Sequence, residues 1–392
     1  MKDFKFTDPF FAKAIADISV NNTLFFTPKQ FLYFLDKRLK NKVLPHLGGW
    51  TTGFVGGFLS MFLQTNALLP VLIVFNICCF YYLFNLSNSS KSSPQTRRSS
   101  ATALQLWGIF IAFSGAYYGV TTHSPMIYGT SALVGLSAFW IGFFQRRRLE
   151  KIPQVFSIKA AQMLGWLDSW TRINGSVSQL LPSPFNALPA QNIAPDPNVT
   201  NYSFDRLVVC QTDEIAQMLI ANNFHFENNC AILSISGYPQ RIFDTTMQML
   251  RRNPDLRVFA FHDCSPEGIT LASELRTNLR WFPDETIVIV DVGLSPRQIL
   301  AAKKDMFIQS SKNSAQASQS LADSIRDNLS KVELEWLDRG NCVELESFTP
   351  QQLIQVLNRS IANSQQLTLG EDSTLILVGG SDSSFYATES FG

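Results

Sequence analysis

The sequence predicts two structural classes in one chain: an α-helical transmembrane region of about four spans, and a cytoplasmic α/β domain with a mainly parallel sheet. Three observations carry this. From Lys37 to Leu149 there is no Asp or Glu. Two long uncharged tracts lie inside that stretch, bounded by clusters of Lys and Arg. Beyond residue 205, short β-branched runs alternate with helical patterns, the signature of a parallel sheet covered on both faces.

Bulk composition does not separate these halves. The 392 residues carry a net charge of +1, and 16% of them are charged. A near-neutral total gives no support for a dedicated nucleic-acid binder, which carries a strong basic excess. The six cysteines (Cys78, Cys79, Cys210, Cys230, Cys264 and Cys342) form no CxxC pair and no disulfide framework. That usage fits a reducing compartment. The N-terminus, MKDFKFTDPFF, lacks the basic-then-apolar order of a secretory signal.

The first segment, residues 1–46, reads as amphipathic and interfacial. Thr27 caps a helix that begins at Pro28, and FLYFLDKRLKNK places Phe31, Phe34 and Leu35 on one face before a run of cations. Such a helix either lies on an anionic leaflet or packs on the soluble domain. Residues 47–145 hold the spans. A hydrocarbon core needs roughly 20 apolar residues in helix. The first tract, Val43 to Ser90, gives about Trp50–Leu63 with its flanks and about Leu68–Leu86, as two spans or as one span plus an interfacial segment. The second gives about Ala103–Val120 and Met126–Phe144. All three basic clusters fall on one side of a four-span arrangement: Lys37, Arg38, Lys40 and Lys42; Lys91, Arg97 and Arg98; Arg146, Arg147 and Arg148. The positive-inside rule then places both termini in the cytoplasm. No acid or base lies within the spans to mark an ion path, so they read as an anchor in the lipid bilayer and not as a transporter.

Residues 146–204 predict a juxtamembrane helix from Arg148 to Asn174 and a Pro-rich linker. Residues 205–380 then carry the α/β pattern. Strands are expected at Arg206–Cys210, Cys230–Ile235, Arg257–His262 and Thr286–Asp291, with helices from Asp213, Pro239, Pro266 and Ser295. Ligands in such folds sit beyond the carboxyl ends of the strands. That singles out the loops Cys210–Glu214, Ser236–Gln240, Asp263–Gly268 and Asp291–Pro296. Gln309–Ser324 reads as a flexible loop or a polar helix. Thr374–Val378 reads as a last strand before a tail at 381–392.

The order RLVVCQTDEIAQMLIANNF, CAILSISGYPQRIFDTTMQML, RVFAFHDCSPEGITLASEL resembles the TOPRIM domain of the topoisomerase VI A-subunit family, which includes the meiotic double-strand-break transesterases. The likeness covers about Arg206 to Leu300, and DVGLSPRQI and GNCVELESFTPQQL extend it toward Leu357. It rests on the Gly-Tyr-Pro loop at Gly237 and on Asp-x-x-Pro-x-Gly from Asp263 to Gly268. The resemblance implies a Mg²⁺ site of converging carboxylates, as a hard cation requires. It also makes nucleic acid a conceivable partner.

The departures decide what is expected. The family's metal-binding Glu falls at Cys210, and the second Asp of its pair falls at Ser265; Asp263 alone is kept. Glu267, Asp291, Asp213 and Glu214 lie on neighbouring strand-end loops and could substitute in part. The family's cleaving tyrosine belongs to a winged-helix domain whose place is taken here by the hydrophobic tracts.

The expectation is therefore a non-catalytic, membrane-anchored scaffold with no cofactor, binding a membrane-associated protein or a ligand. Its candidate ligand-loop residues are Ser236, Gly237, Tyr238, Asp263, Ser265 and Glu267. The alternative is a Mg²⁺-dependent phosphotransfer or nuclease-type enzyme, with Asp263, Glu267 and Asp291 on the metal. The Ser236–Pro239 turn either offers N–H groups to a phosphate or is a tight turn that needs its Gly and Pro. Asp213 and Ser295 read as helix caps. His225 and His262 show no partner at ligand spacing, and Cys264 has no neighbouring base.

Overall fold

A computed structural model describes residues 7–42, 69–89, 94–121, 125–148, 153–184, 204–282 (except 252 and 254), 287–301 and 306–366, with His123 besides. The expected span at Trp50–Leu63, the strand at Thr374–Val378 and the tail lie outside the described residues. The chain divides into two compact units, one of residues 1–35 with 158–392 and one of residues 36–157.

In chain order the described elements begin with α1 (Asp8–Ile18), α2 (Pro28–Lys42), α3 (Leu69–Asn88), α4 (Pro94–Thr121), α5 (Pro125–Arg148) and α6 (Ala160–Asn174). Then follow β1 (Arg206–Cys210), α7 (Asp213–Ala221), α8 (Phe224–Glu227), β2 (Cys230–Ser234), α9 (Gln240–Leu250), β3 (Arg257–Phe261), α10 (Pro266–Thr277), β4 (Val288–Asp291) and α11 (Pro296–Ala301). The last are β5 (Gln309–Ser310), α12 (Lys312–Gln319), α13 (Asp323–Arg326), α14 (Lys331–Asp338), β6 (Asn341–Cys342), a 3₁₀ turn (Leu345–Ser347) and α15 (Pro350–Gln366).

The larger unit is built on a four-stranded sheet in the order β2-β1-β3-β4 with every pairing parallel. Alternate residues feed two cores, as the period of two dictates. Val208, Cys210, Ile232, Phe259 and Phe261 point to one face, where Ile215, Leu219, Leu337, Leu353 and Leu357 cover them. Leu207, Val209, Leu233, Val258 and Ala260 point to the other, under Phe243, Met247, Leu271, Leu275 and Trp281. Each large apolar side chain buried this way contributes about 1.5–3 kcal/mol. The four strands fall where the sequence placed them, within two residues. The stretch from Gln309 resolves into a short strand and then a polar helix, α12, capped by Ser311, whose hydroxyl accepts from Ser314 N.

Of the two alternatives for the N-terminal segment, packing on the soluble domain is the one seen through Leu35. In α1, Phe11, Ala14, Ile15 and Ile18 are buried at helical spacing, and Phe11 meets Phe31 of α2 edge-on at 5.4 Å. The loop between them is tied to α7: Phe25 N donates to Asn222 Oδ1 (2.8 Å), and Asn222 Nδ2 returns a bond to Phe25 O (2.9 Å). Thr27 and Gln30 form the reciprocal capping box of α2. Phe31 and Leu35 are fully buried, so the first half of α2 packs on the α/β unit. The apolar face that suggested a lipid surface is satisfied by protein instead.

Two expectations about the connecting region also change. Helix α5 ends at Arg148, and α6 begins only at Ala160, with non-helical backbone at 153–159. Pro153 opens that non-helical stretch, and proline lacks the N–H that a continuing helix needs. Residues up to Leu181 are no free linker: Leu180 makes a parallel bridge to Phe26, with Phe26 N donating to Gln179 O and Leu181 N to Phe26 O, both at 2.9 Å.

In the smaller unit, α4 and α5 form a tight antiparallel hairpin. A Cβ at Gly108 would lie 2.6 Å from Gly135 O, and one at Gly135 would lie equally close to Gly108 O. Glycine at both positions lets the backbones approach. One helix among the described residues, Arg97–Thr121, is long and apolar enough to cross a membrane. The expected four spans are thus reduced to one among the described helices. In α5, Gly129, Thr130, Ser131, Gly135, Ser137 and Gly142 dilute the apolar run.

Candidate functional site

Chain reversals at the carboxyl ends of β1, β3 and β4 gather the residues that the sequence singled out. Asp263 leaves β3 buried, and its carboxylate Oδ1 accepts from the Ser265 hydroxyl at 2.6 Å. Gln211, one residue past β1, braces the same loop. Its Oε1 accepts from Asp263 N (2.9 Å), and its Nε2 donates to Ser265 Oγ (3.2 Å). Ser265 Oγ also accepts from Gly268 N (3.0 Å), which makes Ser265 the N-cap of α10. Gly268 is required for this closure, because a Cβ there would meet Asp263 O at 2.4 Å and Asp263 Oδ1 at 2.6 Å. Glu267 is exposed in the first turn of α10. Burial pushes the Asp263 carboxyl above its ordinary value, although Ser265, His262 and Gln211 pull it back.

Asp291 ends β4 on the other side of His262. His262 is buried, with Nε2 2.9 Å from Asp291 Oδ1 and Nδ1 2.7 Å from Asp263 O. A ring whose two nitrogens face two acceptors can donate to both only as imidazolium. Desolvation lowers the His262 pKa, but Asp291 and the Asp263 carbonyl outweigh it, and the net shift is upward. For Asp291, desolvation raises the pKa, and His262 with Gly293 N (3.0 Å) carries it below the ordinary range. Sequence reading found no partner for His262, because Asp291 lies 29 residues away and only the pairing of β3 with β4 joins them.

The C-terminal ribbon completes the site. Cys264 and Val343 form an antiparallel bridge through Cys264 N to Val343 O (2.9 Å) and Val343 N to Cys264 O (3.1 Å). This sets Glu344 and Glu346 beside the Asp263 loop. Lys29 of α2 reaches both, with Nζ 3.1 Å from Glu344 Oε2 and 3.6 Å from Glu346 Oε1. Tyr33, one turn on, donates to Glu344 Oε2 at 2.5 Å, and Gln30 Nε2 reaches Phe348 O at 3.3 Å. Glu346 is buried, and desolvation, with repulsion from Glu344 and Asp263, lifts its carboxyl to about 7 despite the attraction of Lys29. None of these residues stood out in the sequence, although the alternation in Cys-Val-Glu-Leu-Glu was a signal for one-sided carboxylates.

The Gly-Tyr-Pro loop turns inward on itself. Gly237 N donates to Ser234 O (2.9 Å), and Tyr238 N donates to Ser234 Oγ (3.0 Å). Gly237 has φ +94°, which favours glycine. Ser236 Oγ donates to Asp213 Oδ1 (2.6 Å), and Arg280 Nη1 donates to Ser236 O (3.2 Å) while its guanidinium lies 4.3 Å from the Phe243 ring centre. Two N–H groups that a phosphate would need are thus spent within the turn. Asp213 is not the cap of α7; Thr212 is, accepting from Ile215 N. Ser295 does cap α11, in a reciprocal pair with Gln298.

The three metal candidates are not brought together. Among the described residues, no group of three His, Cys, Asp or Glu side chains is disposed to hold a metal ion. Asp263 is turned to Ser265, Asp291 to His262, and Glu267 to solvent. Cys264 is buried, and desolvation lifts its thiol well above the ordinary value, which removes it as a nucleophile. Compared with models of known protein families and with curated proteins, the chain matches none.

Proposed function

We propose that this protein is a membrane-anchored, non-catalytic binding module built on a TOPRIM-like α/β domain. One observation carries the reading: the carboxylates of Asp263, Glu344 and Glu346, buried or half-buried by the strand ends, are each committed to a partner inside the chain. Asp263 is held by Ser265, and Glu344 and Glu346 are held by Lys29. A Mg²⁺ enzyme keeps such oxygens open and converging, because the ion demands near-octahedral oxygen ligation. The smaller unit supports the anchor. Ile109, Phe113, Tyr117, Leu133, Leu136 and Trp140 are exposed large apolar residues on α4 and α5, a surface that suits acyl chains better than water. The loops Ser236–Gln240 and Asp263–Gly268 then offer a shaped, rigid edge for a membrane-associated protein or a ligand.

The test is calorimetric titration of the full chain in detergent with Mg²⁺ and Mn²⁺, beside Asp263→Ala. The full chain is required because α1 and α2 pack on the α/β unit. The expected result is no saturable heat from either protein at millimolar metal. Saturable binding that Asp263→Ala removes would overturn this reading in favour of the Mg²⁺-dependent phosphotransfer enzyme.

A further inference from the structure

Described members of three basic clusters far apart in the sequence meet at one end of the smaller unit. Helices α4 and α5 run antiparallel with Gly142 against Ala101 and Gln105, so Arg146, one turn beyond Gly142, stands beside the Arg97–Arg98 end of α4. Helix α3 joins the same end, where the Ser87 hydroxyl bonds Gln145 Oε1. The end of α2 is stapled there too. Lys40 Nζ pairs with Asp36 Oδ2 (2.7 Å) and donates to Val155 O (2.8 Å), while Ser157 N donates to Asp36 Oδ1 (2.6 Å). Arg97 is close enough to Lys40 for repulsion between them to be felt. Lys37 and Arg146 are exposed on this rim. Asp36 neutralises Lys40, no further Asp or Glu occurs from Lys37 to Leu149, and the segment 121–125 between α4 and α5 carries no Lys, Arg, Asp or Glu.

Directly beyond the rim the surface becomes apolar. Trp140 and Phe144 on α5, and Leu106 and Ile109 on α4, are exposed. Cations bordering an exposed apolar belt match one chemical partner at two points: phosphate above and acyl chain below. We propose that this end of the smaller unit is a collar for anionic phospholipid headgroups, with Lys37 and Arg146 as its exposed contacts. The inference rests on the membrane reading above and narrows it to one lipid class.

The probe is phosphatidylglycerol titrated into the full chain in detergent micelles, read by melting temperature, with phosphatidylcholine and inorganic phosphate as parallel arms. Phosphatidylglycerol is expected to raise the melting temperature of the wild type, and the other two are not. Lys37→Gln with Arg146→Gln should weaken the half-saturation point about 30-fold, and each single change about fivefold. An equal shift from phosphatidylcholine or from phosphate, or a double variant that responds like the wild type, would overturn the collar. Flotation with neutral phosphatidylcholine vesicles separates the two levels, since insertion into neutral lipid does not need the collar. A chain that fails to float would overturn the membrane reading itself and the collar with it.

Discussion

The imidazole Nε2 of His262 and the carboxylate Oδ1 of Asp291 meet at 2.9 Å across the ends of two adjacent parallel strands. The pair turns Oδ1 of Asp291 toward His262 and fixes the shape of the loop after β4. The loop has adapted to the ring: a Cβ at Gly293 would lie 2.3 Å from its Cδ2, Cε1 and Nε2 atoms.

Gly293→Ala is therefore expected to push the ring off Asp291 and destabilise the α/β unit by about 1–3 kcal/mol, as overpacking does. Thermal melting of the full chain checks this. Gly165→Ala is the control, because nothing lies within 4 Å of a Cβ there. Equal melting temperatures for the two variants would refute the packing argument.

The same pair predicts a pH effect. His262 titrates above its ordinary value of 6.5 in the folded chain. The stability it supplies is thus full below that value and is lost as pH rises through the higher folded one. Asp291→Asn should flatten this alkaline decline. Melting temperatures measured across neutral to alkaline pH test it, and an unchanged slope in the variant would count against the ion pair.

Glu346 works over a lower window. Its folded value near 7 stands above the ordinary 4.5, so its contribution is present below 4.5 and is lost as pH rises through 7. Glu346→Gln is expected to stabilise the chain at pH 8 by about 1–3 kcal/mol and to have little effect at acid pH. The difference in denaturation midpoint between the two conditions is the measurement. A variant that is less stable at pH 8 would show that the contact with Lys29 outweighs the burial of the charge.

The hairpin of the smaller unit gives a fourth prediction. Gly135→Val places a branched side chain where Gly108 O lies 2.6 Å and Ala112 Cβ 2.8 Å from the Cβ position, and the helices must separate. Protease sensitivity in the segment 121–125 should rise and the melting temperature in detergent should fall. At Gly129 a Cβ meets nothing within 4 Å, so Gly129→Ala should leave both readouts near the wild type.

Much of the architecture follows from local pattern. The absence of acids from Lys37 to Leu149 marked the apolar helices, and short β-branched runs located β1 to β4, because a strand buried on both faces needs continuous apolar residues. The loop Asp263–Gly268 was marked by its place at a strand end, and the resemblance to the TOPRIM family singled out Asp263 and Ser265 within it. Other relations depended on packing between segments that no local rule connects. Lys29 lies 315 positions before Glu344, and they meet because α1 and α2 bury Phe11 and Phe31 together and dock on the α/β unit. His262 found Asp291 only through the β3–β4 pairing. The sequence by itself determined which segments are apolar, where the strands lie and which loop holds Asp263. The tertiary structure decided which charges neutralise one another, because a buried carboxylate is stable only beside a partner, and that partner is chosen by the fold.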